Sequence, residues 1–300
     1  MDISVVIGSY NQCERIRKVL DGYLAQVCNC RFEVIVVDSF STDGTKAVFD
    51  DYLAKDLPFK LTFLQRDNPS GKAEARNTGV GMANSEIIVI SDADMIPDSQ
   101  FIQAHYDAHR SSSELCCFEG LAYNLNSYDW PPNFNECSTQ VPSKYKHKDR
   151  LDWYYFLTGN ISFPKSLFIV EDGFSVDFKN YGWEDLELGY RFKKRNIPFY
   201  YLPAAINYHY HVITDKEKSE RKFEMGQSAQ IFINKHPELK TFLGHNPVSV
   251  FLRKQLTTHH FIYKMIQKLT VSKVAFLQSF SYWFLGEFNY LSGLLNLTKD

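Results

Sequence analysis

The sequence predicts an α/β fold: an open, mostly parallel twisted sheet flanked by helices, followed by a C-terminal helical extension. Three observations carry this prediction. Short β-branched runs alternate with amphipathic segments over the first hundred residues, at the spacing of βαβ units. An apolar content of 44% in 300 residues is enough to fill a core. The stretch Ile87-Ile-Val-Ile-Ser-Asp92-Ala93-Asp94-Met95 has the pattern of a buried strand and then breaks into two carboxylates.

Taken in order, Ile3-Ser-Val-Val-Ile7 is a strand closed by Gly8-Ser9-Tyr10-Asn11. Apolar residues at Ile16, Val19, Leu20, Tyr23 and Leu24 predict a helix from Glu14 to Gln26. Phe32 to Val37 is the second strand, ending in Asp38-Ser-Phe-Ser-Thr-Asp43-Gly44-Thr45. Asp43-Gly44 signals a turn, and Thr42 or Asp43 caps a helix to about Leu53. Leu61 to Gln65 is the third strand, Gly71 to Met82 a helix, and the acid-terminated strand is the fourth. Alternate side chains of an extended chain share a face, so Asp92 and Asp94 converge at the carboxyl edge, where open sheets bind ligands. Two like charges placed there call for a cation, and oxygen ligands suit Mg²⁺ or Mn²⁺. For an isolated pair, an ordinary Asp-rich turn is the alternative.

Beyond the fourth strand the pattern loosens. Residues 111–150 are rich in Asn, Pro, Ser and Lys, and this segment is either a specificity loop or a plain surface excursion. Leu157 to Phe163 is a short strand, Phe199 to Leu202 another, and Gly182 followed by acids starts a helix. The charge balance, 33 basic against 35 acidic residues, excludes general nucleic-acid binding. Six cysteines without a C-x-x-C pair, and no signal peptide, predict a reducing cytosol.

Four motifs occur in sequence: Ser4-Val-Val-Ile-Gly-Ser-Tyr-Asn11, Val36-Val-Asp38-x-x-Ser41-x-Asp43-Gly44-Thr45, Arg76-Asn77-Thr-Gly79 and Asp92-Ala93-Asp94-Met95. The ordered set resembles the family 2 glycosyltransferases, which have the GT-A fold and use nucleotide-sugar donors. The resemblance continues through Gly159-Asn160 and Gly182-Trp183-Glu184-Asp185 to His209, covering about residues 3–240. Its motifs come nearest to the transfer domains of bacterial chondroitin-type polymerases. The expected organisation is a GT-A catalytic domain over 1–245, with a nucleotide-binding half (1–100) and an acceptor-binding half (101–245). A helical, aromatic-rich basic tail, 246–300, follows.

The resemblance implies uracil and ribose near Ser9, Tyr10, Asn11 and Asp38. A strand-terminal carboxylate such as Asp38 can accept from a base N–H or ribose hydroxyls. Tyr10 is either a stacking face or a packed loop aromatic. Arg66, Lys72 and Arg76 supply positive charge for a diphosphate, with surface solvation the alternative for Lys72 and a structural role the alternative for Asn77. Asp92, Ala93 and Asp94 complete the donor side, Gly159 admits a ligand near the backbone, and Asn160 and Trp183 contact the sugar. Inverting transfer needs a general base near the acceptor hydroxyl. The Trp-Glu-Asp motif assigns it to Asp185, with Glu184 orienting the acceptor; Glu187 is a solvated helix position or an outer contact. Imidazole suits Mn²⁺ better than Mg²⁺, and the family's late metal histidine falls on His209, with His211 its competitor. His105, His109 and His147 are expected to be structural.

The expected activity is Mn²⁺- or Mg²⁺-dependent transfer of a hexose, N-acetylhexosamine or uronic acid from a UDP-sugar to a glycan or lipid-linked acceptor, with inversion. A sugar-nucleotide nucleotidyltransferase would need a glycine-rich, cationic loop after the first strand, which Gly8-Ser-Tyr-Asn11 is not. A silent glycan- or sugar-nucleotide-binding module has little use for both acidic centres. In the tail, Arg253, Lys254, Lys264, Lys268, Lys273 and Lys299 outnumber Glu287 and Asp300, and aromatics abound. Its longest charge-free run, Val274 to Gly286, has 13 residues, too short to span a bilayer. The tail either packs on the catalytic domain or makes peripheral contact with the cytoplasmic face of a membrane.

Overall fold

The computed structural model describes residues 1–69, 71–258 and 260–295; the side chains of Arg253, Lys254 and Phe261, and all of Lys299 and Asp300, lie outside the described residues. The first elements are β1 (Ile3–Ser9), α1 (Cys13–Leu24), β2 (Phe32–Asp38), α2 (Thr45–Leu53), β3 (Lys60–Gln65), α3 (Lys72–Met82) and β4 (Ile87–Asp92). Next come β5 (Met95–Pro97), α4 (Phe101–Ser111), β6 (Cys117–Asn124), β7 (Ser138–Thr139), β8 (Arg150–Leu151) and β9 (Asn160–Pro164). The chain continues with α5 (Lys165–Val170), α6 (Glu184–Lys194), β10 (Phe199–His209), α7 (Asp215–Lys235), α8 (Pro247–Thr258), α9 (His260–Lys268) and α10 (Ala275–Leu294).

The strands form one sheet in the order β3-β2-β1-β4-β9-β6-β10-β5. From β3 to β4 every pairing is parallel, and β1 and β2 are buried along their length, so their continuous apolar runs fit. Beyond β4 the sheet is mixed: β9 runs antiparallel to both β4 and β6, β6 pairs parallel with β10, and β5 pairs antiparallel with β10. Strand β6 lies inside the segment that looked irregular, and β10 continues past Leu202 to His209. Pro203 ended the apparent strand, and the register shift between Leu202 and Ile206 absorbs it as a bulge.

Two compact units are formed, one of residues Met1–Val176 with Asp185–Val212, the other of Asp177–Glu184 with Ile213 onward. The first holds the sheet and its main core, in which Ile3, Val5, Ile7, Val34, Val36 and Val89 meet Ile16, Val19, Phe49 and Phe101 from the helices. A buried polar cluster ties its mixed half together. His105 pairs Nδ1 with Ser162 Oγ (2.9 Å) and Nε2 with Asn160 Oδ1 (3.0 Å), and Asn160 Nδ2 donates to Ala205 O and Asn207 Oδ1. His109 Nε2 joins Ser162 Oγ at 2.9 Å. Burial holds His105 down at about 4 and His109 at about 3, so both are neutral imidazoles at pH 7.

In the second unit α7 and α10 touch backbone to backbone. A Cβ on Gly226 would lie 2.0 Å from Tyr290 O, and one on Gly293 would lie 2.1 Å from Phe223 O. Lys222 and Glu287 (2.9 Å) and a Tyr290 hydroxyl donating to Leu243 O (3.0 Å) add polar contacts. Tyr263 and Ile266 of α9 pack with Leu285 and Phe288 of α10 in a small separate core. The segment before Glu184 belongs here as well: Trp183 Nε1–H donates to Met225 O (2.9 Å), and Phe178 and Trp183 both meet the Phe232 ring. Among the described residues no helix is long and apolar enough to cross a membrane, and all six cysteines are free thiols.

Candidate active site

The parallel register places Ser9 opposite Asp38 and Gly8 opposite Asp92, so β1, β2 and β4 end on one edge of the sheet. Backbone and side-chain bonds zip the loops after β1 and β2 together. The Ser39 N–H donates to Ser9 O (2.8 Å), Asn11 N–H to Ser41 Oγ (2.7 Å), Thr42 N–H to Asn11 Oδ1 (3.0 Å) and Cys13 N–H to Asp43 Oδ2 (3.0 Å). Asp38 is fully buried and accepts the Ser41 hydroxyl (2.6 Å) and N–H (2.8 Å). Its carboxylate thereby shapes the loop. Tyr10 (56% exposed) and Phe40 (43%) stand at the surface of this pair of loops. Ser9 Oγ is buried without a partner among the described residues, a hydroxyl still able to bond.

Of the cations, Arg66 follows β3 while Lys72 and Arg76 lie on α3, and they divide. Arg66 is tied by Glu74 and by Thr78 Oγ1 at 3.1 Å, so its charge is largely spent. Arg76 is 1% exposed, lies over the Phe174 ring and pairs Nη2 with Asp92 Oδ1 at 2.8 Å. Asn77 exchanges two 2.8 Å bonds with the Phe174 backbone, which makes it a structural clamp. Lys72 stays exposed, and its charge acts on Asp94.

Because β4 ends at Asp92 and the chain turns through Ala93 and Asp94 before β5 begins, the two aspartates take different partners. Asp92 goes to Arg76. Asp94 goes to β10: antiparallel pairing sets Met95 opposite His209, and Tyr210 N–H donates to Asp94 O at 2.7 Å. His209 Nε2 and His211 Nδ1 then lie 3.5 and 3.6 Å from Asp94 Oδ2. His209 and His211 therefore do not compete; both face the same carboxylate. The three ligand atoms lie within 4.8 Å of one another, and separations of about 3–3.5 Å suit donors around an ion with bonds of about 2.1 Å. One carboxylate with two imidazoles suits a borderline divalent ion such as Mn²⁺. His209 Nδ1 sits 3.3 Å from Asn124 Oδ1, a partner that fixes the ring and leaves Nε2 free to ligate. Burial opposes ionisation of Asp94, but the two histidines, and then Lys72, outweigh it and hold its carboxyl far below the usual range.

The second acidic stretch is less uniform than its sequence. Asp185 is partly exposed in the first turn of α6 and accepts from Leu186 N–H at 2.8 Å. Glu184 is buried. Glu187 is not solvated: it is 2% exposed and takes three bonds of 2.9–3.0 Å from Arg191. Trp183, expected at the sugar, has its indole committed to α7, and its backbone holds a left-handed φ of 74°. Asn160, also expected there, is fully buried in the polar cluster, and Gly120 leaves room for it, since a Cβ would fall 2.3 Å from its Oδ1. Glu119, unmarked by any motif, is fully buried on β6. Its Oε2 accepts from Leu157 N–H (3.2 Å) and its Oε1 has no partner among the described residues. Burial raises its carboxyl well above the usual range, the Leu157 bond opposes this, and the Asp185 charge adds to it.

This sheet matches solved GT-A glycosyltransferases in fold. Staphylococcus aureus TarS 1–349, in complex with UDP, aligns with a TM-score of 0.58 at 18% identity over 99% of this chain and 91% of that one. The mannosyltransferase PcManGT from Pyrobaculum calidifontis, in complex with GDP-Man and Mn²⁺, aligns at 0.62 with 16% identity, over 98% and 87%. The sequence pattern of glycosyl transferase family 2 matches residues 4–174, and the chain belongs to this family. Validoxylamine A glucosyltransferase from Streptomyces hygroscopicus subsp. jinggangensis is 27% identical over 222 residues, 65% of this chain and 52% of that protein. Chondroitin and hyaluronan synthases also match, at 22–24% identity. The chain spans about half the length of the validoxylamine A glucosyltransferases it matches.

Proposed function

We propose that this chain is a metal-dependent glycosyltransferase. It transfers a hexose, N-acetylhexosamine or uronic acid from a UDP-sugar to a glycan or lipid-linked acceptor, with inversion. The observation that carries this reading is the Asp94–His209–His211 group at the carboxyl edge of the parallel strands, with Lys72 acting on it. Tyr10 and Phe40, exposed on the neighbouring loops, offer faces for the base. Asp94, His209 and His211 would hold a divalent ion, whose charge would offset that of the leaving diphosphate. Lys72 adds a cation to the same phosphates, and Arg76 neutralises Asp92, whose charge would otherwise repel them. Asp185 takes the acceptor hydroxyl's proton as that oxygen bonds to the anomeric carbon. The bond from that carbon to UDP breaks on the opposite face, and its electron pair leaves with UDP. Glu184 orients the acceptor. Organisation into a donor half, an acceptor half and a basic tail follows the same reading, at the cytoplasmic face of a membrane.

Thermal-shift titration of UDP and GDP, each with and without Mn²⁺, tests the donor site on the wild type, Asp94→Asn and Asp185→Asn. UDP with Mn²⁺ is expected to raise Tm in the wild type and in Asp185→Asn, by mass action on the native state, and to do nothing in Asp94→Asn. With a working acceptor, Asp185→Asn loses UDP release by about 10²–10⁴-fold. A shift with GDP alone removes the uridine assignment. No shift with either nucleotide removes the donor site.

A further inference from the structure

The surface at the start of α10 takes no part in the site above. Val271, Val274, Phe276, Phe280 and Trp283 are 84%, 55%, 75%, 40% and 61% exposed. Phe276, Phe280 and Trp283 follow one another at steps of four and three, so they line one stripe of the helix. Val274 to Leu277 are exposed at four successive positions, and the helix is first held at Gln278, whose side-chain amide donates to Thr270 O at 2.9 Å. Large apolar side chains gathered in water mark a surface that meets a partner.

Charge identifies the partner. Between Glu238 and Glu287 the sequence has no carboxylate, yet it holds Lys240, Arg253, Lys254, Lys264, Lys268 and Lys273. Lys264 and Lys268 stand exposed one turn apart on α9, and Lys273 lies between Val271 and Val274. Asp215 stands against this face, accepting from Ser279 Oγ at 3.1 Å, but it is already paired with Lys218 (3.3 Å), so it offers the lysines of a second copy little countercharge. An anionic lipid surface supplies that countercharge together with an apolar layer beneath it, and aromatic side chains favour that boundary. We propose that the end of α9 and the first turns of α10 dock on a bilayer carrying anionic phospholipids. Val271, Val274, Phe276, Phe280 and Trp283 enter the headgroup boundary, and Lys264, Lys268 and Lys273 contact phosphates. The docking deepens the proposed function by naming where a lipid-linked acceptor is met, and it rests on that reading for this purpose only.

Flotation of the full chain with phosphatidylcholine vesicles, with and without phosphatidylglycerol, tests the surface without catalysis. The wild type is expected to float with the anionic vesicles and to be released by high salt. Neutralising all three lysines (Lys264→Gln, Lys268→Gln, Lys273→Gln) weakens this binding on the order of a hundredfold. Phe276→Ser with Trp283→Ser abolishes flotation and leaves Tm unchanged, because both side chains are exposed. Flotation that ignores both variants overturns the surface. So does no flotation at all, or a dimer in sedimentation that Phe276→Ser with Trp283→Ser dissolves. The UDP shift in the same samples separates the two claims: a chain that floats but ignores UDP keeps the docking surface and loses the transferase reading.

Discussion

Glu119 and the pair His105 and His109 carry opposite pH signatures. Each histidine is held neutral in the folded chain, below its ordinary 6.5. The stability they contribute is complete above that value and is lost as pH falls toward about 4 and then about 3. Glu119 is held protonated, so its contribution is complete below the ordinary carboxyl value and drains away as pH rises. Glu119→Gln keeps an oxygen to accept the Leu157 N–H and removes the ionisable proton. The variant is expected to gain on the wild type by about 1.4 kcal/mol per pH unit above the unfolded carboxyl value, until the buried acid itself ionises. Urea unfolding of both proteins at pH 4 and pH 8 measures this; equal differences at the two pH values would contradict a buried neutral Glu119. At this scale the sequence identified chemical types better than destinations. Asp94 and His209 were legible as metal candidates, with His211 as the alternative to His209; the structure sets all three side chains around one point. Asp38, Asn77, Asn160 and Trp183 were equally visible in their motifs. Each has a partner in Ser41, Phe174, the β9–β10 cluster or α7 that sequence spacing does not reveal.

Elements were legible where one interaction decided them. Strands β1, β2 and β4 are apolar runs because both faces are covered, and their limits fell within two residues of expectation. Strand β6 was hidden because two of its residues answer to partners distant in sequence: Glu119 accepts from Leu157 N–H, and Gly120 yields its space to Asn160. The α7–α10 contact follows the same logic, since Gly226 and Gly293 look like helix weaknesses until the helices are set against each other. Gly226→Val or Gly293→Val would drive a branched side chain into a facing carbonyl. The expected cost is about 3 kcal/mol or more, read as a lower Tm and faster proteolysis between α7 and α10. A Tm within a degree of the wild type would mean that the helices do not meet there.

Across the whole molecule, the parallel half was legible in order and pairing, whereas in the mixed half the runs of β9 and the start of β10 were legible and their pairing was not. Parallel strands are joined by local crossovers, whereas β9 reaches its place between β4 and β6 only after a long excursion. The two compact units also divide at 212, ahead of the composition change at 246, because α7 sides with α10. That late arrival of β9 has a consequence for biosynthesis. While the chain is being made, β4 emerges early and pairs with β1, but its other edge keeps a row of free peptide groups beneath Ile87-Ile-Val-Ile90 until Asn160–Pro164 leaves the ribosome. An open, β-branched edge is a template for neighbouring chains on the same polysome. Nascent chains halted at Leu157 are therefore expected to aggregate or to be held by chaperones. Their recovery as soluble monomers would show that β4 is protected by some other means.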